Sequence, residues 1–190
     1  VLLRLTENVT WLGAFFQSVS ARTAGFTVYS LDLFSKSGLL LICILMLIGA
    51  SPGSTGGGIK TSTFFVLLVG IRAAATGSSE KAFRYAIPAA AFKKASVILL
   101  LALSVITAGT YLICIFEPEK TFLQLLFEII SAFGTTGLST GITPTLCGKS
   151  KILSVIIMYI GRLGPLTAAS LWYFSKGERF GYPEGNITVG

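Results

Sequence analysis

Thr23-Ala24-Gly25-Phe26-Thr27 and Thr135-Thr136-Gly137-Leu138-Ser139 are two copies of one short Gly-centred loop, 112 residues apart. At the same offset Phe15 aligns with Phe127, Met46 with Met158, Gly49 with Gly161 and Thr55 with Thr167, so the chain contains an internal repeat. Each loop is entered from an apolar segment, Thr10 to Ser20 or Phe122 to Phe133. A hydrocarbon core about 30 Å thick requires roughly 20 helical residues, and these segments are too short. Irregular backbone at membrane depth is tolerated only where protein or a water-filled cavity satisfies its polar groups. A Gly flanked by hydroxyl residues lets carbonyls converge without Cβ obstruction and replace the water shell of an alkali cation. The repeat predicts re-entrant pore half-helices running into filter loops, and therefore part of an ion pathway.

Composition narrows the alternatives. Hydrophobic residues make up 53% of the 190, charged residues 12%, and the mean hydropathy is +0.79. A soluble domain carries about 25% charged residues, so the expected solvent here is lipid. The net charge of +7 could suggest nucleic acid, but the basic residues are interleaved with apolar segments of membrane-spanning length. With no histidine and three cysteines there is little from which to build a zinc site or a His-based triad. Cys43 and Cys114 lie within apolar runs and read as packing residues, and Cys147 lies near a polar loop. No acid/base pair or partnered nucleophile emerges, and an enzyme is not expected. Val1 is not an initiator Met, and no spanning segment precedes the first loop as one precedes the second. The expectation is the C-terminal part of a longer polypeptide.

Ala95 to Phe116 is an uninterrupted apolar stretch long enough to span a bilayer. Ile152 to Phe174 is a second, interrupted at Gly161-Arg162-Leu163-Gly164-Pro165. A third, Gly38 to Ile48 and then Thr61 to Ile71, is broken by Gly49-Ala50-Ser51-Pro52-Gly53-Ser54-Thr55-Gly56-Gly57-Gly58. That density of Gly with one Pro excludes a continuous helix. Arg72, Lys81, Arg84, Lys93 and Lys94 against Glu80 place the segment after it on the cytoplasmic side, with Glu117-Pro118-Glu119-Lys120 facing outward. Lys149 and Lys151 run against this assignment.

Three features need weighing. Gly53 to Thr61 (GSTGGGIKT) resembles a Walker A loop, but Ile59 separates Gly58 from Lys60 and the flanks are membrane segments, so no nucleotide is expected on this chain. Gly49, Gly53 and Gly57 at four-residue spacing could instead pack helices closely. The abundance of Gly, Ser and Thr better suits a flexible plug below the filter. Arg162 lies mid-segment, where a charge is expensive; it would donate to broken-backbone carbonyls and set a barrier for cations. Lys60 follows the same logic nearer the cytoplasmic half. Arg22 and Glu128 are the charged residues next to the filter loops, and the reading preferred for them is a supporting ion pair.

The strings SARTAGF (Ser20 to Phe26), IGASPGSTGGGIKTSTF (Ile48 to Phe64), FEIISAFGTTGLSTGITP (Phe127 to Pro144) and IGRLGPLT (Ile160 to Thr167) closely resemble the potassium-transporting subunits of the Trk/Ktr/HKT superfamily. The tail from Arg179 to Gly185 (RFGYPEG) looks most like the bacterial KtrB branch. The resemblance covers nearly the whole chain and implies four repeats of outer helix, pore helix, filter loop and inner helix. This chain would hold part of the third and all of the fourth. It also implies filter glycines at Gly25 and Gly137, an intramembrane gating loop at Gly49 to Gly58, and Arg162 as the arginine that contacts it. A homodimer and a cytoplasmic, nucleotide-binding, KtrA-like regulatory ring are implied as partners.

The expected fold is an all-α multi-pass membrane protein with re-entrant half-helices and filter loops between spanning helices, a repeat architecture resembling potassium channels. The expected divisions are 1–72 (pore helix, filter loop and broken inner helix), 73–94 (cytoplasmic linker), 95–175 (a complete repeat) and 176–190 (cytoplasmic tail). The expected function is potassium transport across a bacterial plasma membrane. The filter would be Thr23, Ala24, Gly25, Phe26, Thr135, Thr136, Gly137 and Leu138. The gate would be Gly49, Ser51, Pro52, Gly53, Ser54, Thr55, Gly56, Gly57, Gly58 and Arg162, with Arg22 and Glu128 as support. Potassium is the expected ion and sodium a candidate coupling or activating ion. The alternative is a secondary transporter whose broken helices form a midplane site for a small solute.

Overall fold

A computed structural model describes residues 10–31, 34–77, 81–82, 85–164 and 167. Six helices dominate: α1 (Trp11–Ser20), α2 (Lys36–Leu47), α3 (Thr61–Thr76), α4 (Ala89–Phe116), α5 (Phe122–Gly134) and α6 (Gly148–Leu163). Among the described residues only α4 is long and apolar enough to cross a membrane, with Ala90–Phe116 at a mean hydropathy of 2.4. At about 1.5 Å per residue it exceeds the hydrocarbon thickness. The second half of the interrupted Ile152 to Phe174 segment and the tail from Lys176 lie outside the described residues, as do Glu80 and Arg84.

The third segment is broken where the Gly content predicts, with α2 ending at Leu47 and α3 starting at Thr61. The non-helical connection between α3 and α4 is shorter than the 73–94 linker expected from the sequence. Helix α3 continues to Thr76 before Gly77 ends it at φ 62°, and α4 begins at Ala89 behind Pro88. Ala89 to Ala91 are strong helix formers, and Lys93 and Lys94 can run their stems along the first turns of α4. Between the two helices sits an antiparallel hairpin of two-residue strands, β1 (Lys81–Ala82) and β2 (Tyr85–Ala86), a departure from an all-helical chain. Strands this short carry no alternation by which a sequence could announce them.

Helix α5 is the centre of the packing, touching α2, α4 and α6. Phe127, Phe133, Leu125 and Ile129 on it are fully buried, against Ile42, Met46, Ala102, Ile106 and Ile157 of the surrounding helices. Close approach is set by small residues: a Cβ on Gly161 would lie 2.0 Å from Phe133 O, and one on Gly134 2.7 Å from Met46 O. Helix α1 occupies the equivalent place in the first copy but leaves its apolar side uncovered; Phe15 is 63% exposed where its counterpart Phe127 is 0%. The same sequence pattern therefore sits in two environments.

Candidate functional site

Both Gly-centred loops leave their helices by the same route. Thr23 (φ 69°) and Thr135 (φ 50°), equivalent in the repeat, are the two non-glycine residues with positive φ among those described. Gly25 (φ 76°) and Gly137 (φ 86°) repeat the match two residues later. A left-handed residue ends a helix by turning its last carbonyls outward, and a β-branched residue there costs about 1–2 kcal/mol. Two threonines held in that conformation at matching positions mark a backbone fixed by its surroundings. After α1, Ala24 and Gly25 donate to Ser20 O; after α5, Thr136 donates to Ser131 O.

The loops meet each other. A Cβ on Gly25 would lie 2.2 Å from Thr136 O, so the first loop backs directly onto a carbonyl of the second. At Gly137 the corresponding direction is open among the described residues. Carbonyl-lined turns at the ends of two converging helices are suited to a cation, because helix C-termini carry partial negative charge.

The Gly-rich segment lies against both turns. A Cβ on Gly56 would meet Thr23 Cγ2 at 2.9 Å, and Gly57 donates its N–H to Thr135 Oγ1 at 2.8 Å. Its neck is closed: Gly49 N donates to Ile59 O, Ile59 N donates to Leu47 O, and Ile48 pairs with Ile59 in a parallel bridge. Lys60 Nζ donates to Ser54 O at 3.2 Å, to Ser54 Oγ and to Gly56 O. Sequence composition suggests a flexible plug, whereas the segment is braced at its neck and across its width. Ser51, Pro52, Gly53, Ser54 and Thr55 form its exposed tip, while Gly57 and Gly58 are buried.

Two charge contacts expected from the sequence are not seen among the described residues. Lys60, not Arg162, supplies the donors to the broken backbone; Arg162 is exposed, has no hydrogen bond or ion pair among the described residues, and acts on Lys60 only through its charge. No ion pair joins Glu128 to Arg22. The Glu128 carboxylate accepts from Ser139 Oγ (2.5 Å) and Thr140 N (3.2 Å) at Oε1, and from Thr143 Oγ1 (2.9 Å) at Oε2. Neutral donors from its own repeat satisfy the buried charge, and Arg22 stands exposed. In the first copy the matching brace is lighter, with Ser20 Oγ donating to Phe26 O (2.5 Å) and buried Gln17 accepting from Val28 N at 3.4 Å. The hydroxyl pair at Ser139 and Thr143, four residues apart at and after the end of the second Gly-centred loop, was the available sequence signal for the Glu128 brace. Gln17 and Ser20 had none beyond being polar in an apolar segment.

Among the described residues no group of three His, Cys, Asp or Glu side chains converges. Glu117, the C-cap of α4, accepts from Cys147 N (2.6 Å) and Ser150 Oγ (3.0 Å) at the start of α6. These hydrogen bonds hold its carboxyl below the ordinary value, the Cys147 backbone N–H foremost.

A family model described as TrkH, a cation transport protein, matches residues 4–175. The chain is 38% identical over 98% of its length to the Ktr system potassium uptake protein B of Vibrio alginolyticus, covering 41% of that protein. It is 37% identical over its whole length to the potassium/sodium uptake protein NtpJ of Enterococcus hirae, covering 44% of it. It therefore spans about two fifths of the length of these curated relatives. The crystal structure of the potassium transporter TrkH from Vibrio parahaemolyticus superposes with a TM-score of 0.70 over 85% of this chain and 36% of that one, at 21% identity.

Proposed function

Because this chain belongs to the TrkH family of cation transport proteins, we propose that it forms part of a potassium pathway whose filter is closed from below by the Gly49–Gly58 loop. The observation that carries this reading is the fastening of one Gly-rich loop to both Gly-centred turns, through Gly56 on Thr23 and Gly57 on Thr135. Carbonyls of Thr23, Ala24, Gly25, Phe26, Thr135, Thr136, Gly137 and Leu138 replace the hydration shell of the ion, and α1 and α5 aim their partially negative ends at it. A ring in which each glycine backs onto the next loop, as Gly25 does onto Thr136, sets a further loop against Gly137. The greater length of the relatives leaves room for such loops, and the uncovered side of α1 supports the same reading.

Lys60 holds the gate across its width, with Arg162 setting the local positive potential beside it. Glu128 holds the second filter loop in shape, and Arg22 stands at the mouth of the first. The α2–α3 break and the linker transmit movement from a cytoplasmic regulatory ring, and the working unit is a homodimer in a bacterial plasma membrane. The printed name of the Enterococcus relative supports sodium as a second ion.

The test is potassium and sodium uptake by the full-length protein in bacteria lacking their own potassium uptake, with Gly137→Ser alongside. Gly137 meets no neighbour among the described residues, but its φ of 86° strains any side chain there, so folded yield is measured beside uptake to separate filter from folding. Selective potassium uptake that Gly137→Ser weakens, or opens to sodium, supports the assignment. No cation uptake by a well-expressed protein would overturn it in favour of a solute carrier.

A further inference from the structure

A cavity of about 660 Å³ opens between the first turns of α2 and α5, bordered among others by Leu31, Lys36, Leu39, Phe122, Leu123 and Thr140. Its wall is mostly apolar. Among the described residues that border it, Lys36 is the one that carries a charge. Two helix N-termini meet here, since Lys36 opens α2 and Thr121 caps α5, and each brings first-turn N–H groups outside the intrahelical ladder beyond those that Ser35 and Thr121 already cap. Independently, Thr140 is 4% exposed and its Oγ1 has no hydrogen-bond partner among the described residues. The Thr140 backbone N–H is tied to Glu128, which fixes the residue at the cavity edge. Phe122 also borders a second, apolar groove of about 340 Å³ along Ile106, Thr110, Tyr111 and Leu126 on the α4–α5 face.

We propose that the cavity holds the headgroup of an anionic phospholipid, with an acyl chain laid past Phe122 into the groove on α4 and α5. Lys36 and the two helix N-termini balance the phosphate charge, and the Thr140 hydroxyl donates to a phosphate or ester oxygen. A free phosphate could use the same cation, but it would leave the apolar wall and the adjoining groove unfilled. The position suits a headgroup, because α5 begins only a short connection after the membrane-length α4 ends at Phe116. Through Thr140 the lipid reaches the loop that Glu128 braces, next to the second Gly-centred turn. The site adds a lipid ligand to the transport reading and does not depend on which ion permeates.

Native mass spectrometry of the full-length protein, purified with mixed phosphatidylglycerol and phosphatidylcholine, tests this. Lys36→Gln should lower the retained phosphatidylglycerol preference about five-fold, the scale of one cation near a headgroup, and Lys36→Arg should restore it. Thr140→Val, which keeps the side-chain shape, should lower it as well, and excess inorganic phosphate should not displace the lipid. Unchanged preference in both Lys36→Gln and Thr140→Val would overturn the proposal, as would displacement by phosphate. Cross-linking of a Lys36→Cys thiol to another protein segment, showing the cavity filled by protein, would also overturn it. None of these readouts is ion uptake, so they fail separately from the transport assignment.

Discussion

Gly57 donates its backbone N–H to Thr135 Oγ1 across 78 residues of sequence, joining the Gly-rich loop to the left-handed threonine that ends α5. Gly56 stands against Thr23, the counterpart of Thr135 in the other copy. One loop thus reads the position of both turns through two neighbouring glycines, neither of which has room for a side chain.

Gly57→Ala should loosen that attachment. Its Cβ would fall 2.8 Å from Phe133 O and 2.9 Å from two Thr135 side-chain atoms, an overpacking that costs about 1–3 kcal/mol and pushes the Gly57 N–H away from Thr135 Oγ1. Basal potassium uptake should rise on the order of tenfold, with unchanged preference over sodium. Gly53→Ala, at the open tip with φ 82°, strains the backbone without touching either turn and should change uptake far less. Equal effects of the two in a flux assay would remove the gate assignment.

Substitutions at the equivalent glycines should not be equivalent. Gly25→Ser drives a Cβ to 2.2 Å from Thr136 O at a left-handed backbone position, so folded protein and uptake should both fall. Gly137→Ser strains a left-handed position (φ 86°) but meets no neighbour among the described residues, so folded yield should fall much less than in Gly25→Ser. Detergent-extracted yield by size-exclusion chromatography separates the two cases.

Replacing Glu128 by Gln should act on stability rather than on ion choice. The amide keeps one acceptor but loses the charge assistance to Ser139, Thr140 and Thr143, a change of about 1–3 kcal/mol. The expected outcome is a lower Tm in detergent with the potassium-to-sodium uptake ratio unchanged. A shifted ratio at unchanged Tm would put the carboxylate in the pathway itself.

Acid should weaken the junction between the end of α4 and the start of α6. The folded-state pKa of Glu117 is depressed, so its contribution is complete above the ordinary carboxylate value. That contribution is lost as pH falls from there through the depressed value. Thermal unfolding should become less favourable to the folded state across that window, and Glu117→Gln should flatten this part of the profile. An identical pH profile in the variant would show that other carboxylates govern it.

The broken helix, the short α5 and the Gly-centred loops were legible because Gly, Pro and apolar run length act locally. The braces were not. Glu128 and Arg22 are both charged and near the Gly-centred loops, which suggests a pair, yet Ser139, Thr140 and Thr143 reach the carboxylate first because the chain folds back over α5. Lys60 and Arg162 carry the same charge in similar segments, and only the closed neck at Ile48 and Ile59 decides which ammonium or guanidinium faces the loop carbonyls. Helix α4 reaches back to Ala89 because Lys stems tolerate a helix start at the membrane edge, where the apolar run alone suggests Ala95.

Thr23 and Thr135 share one backbone state in two unlike settings, the first beside an uncovered helix and the second beside a fully packed one. The molecule therefore contains its own control. A substitution made at both threonines in turn separates what the turn itself requires from what its neighbours impose, within one protein and under one set of conditions.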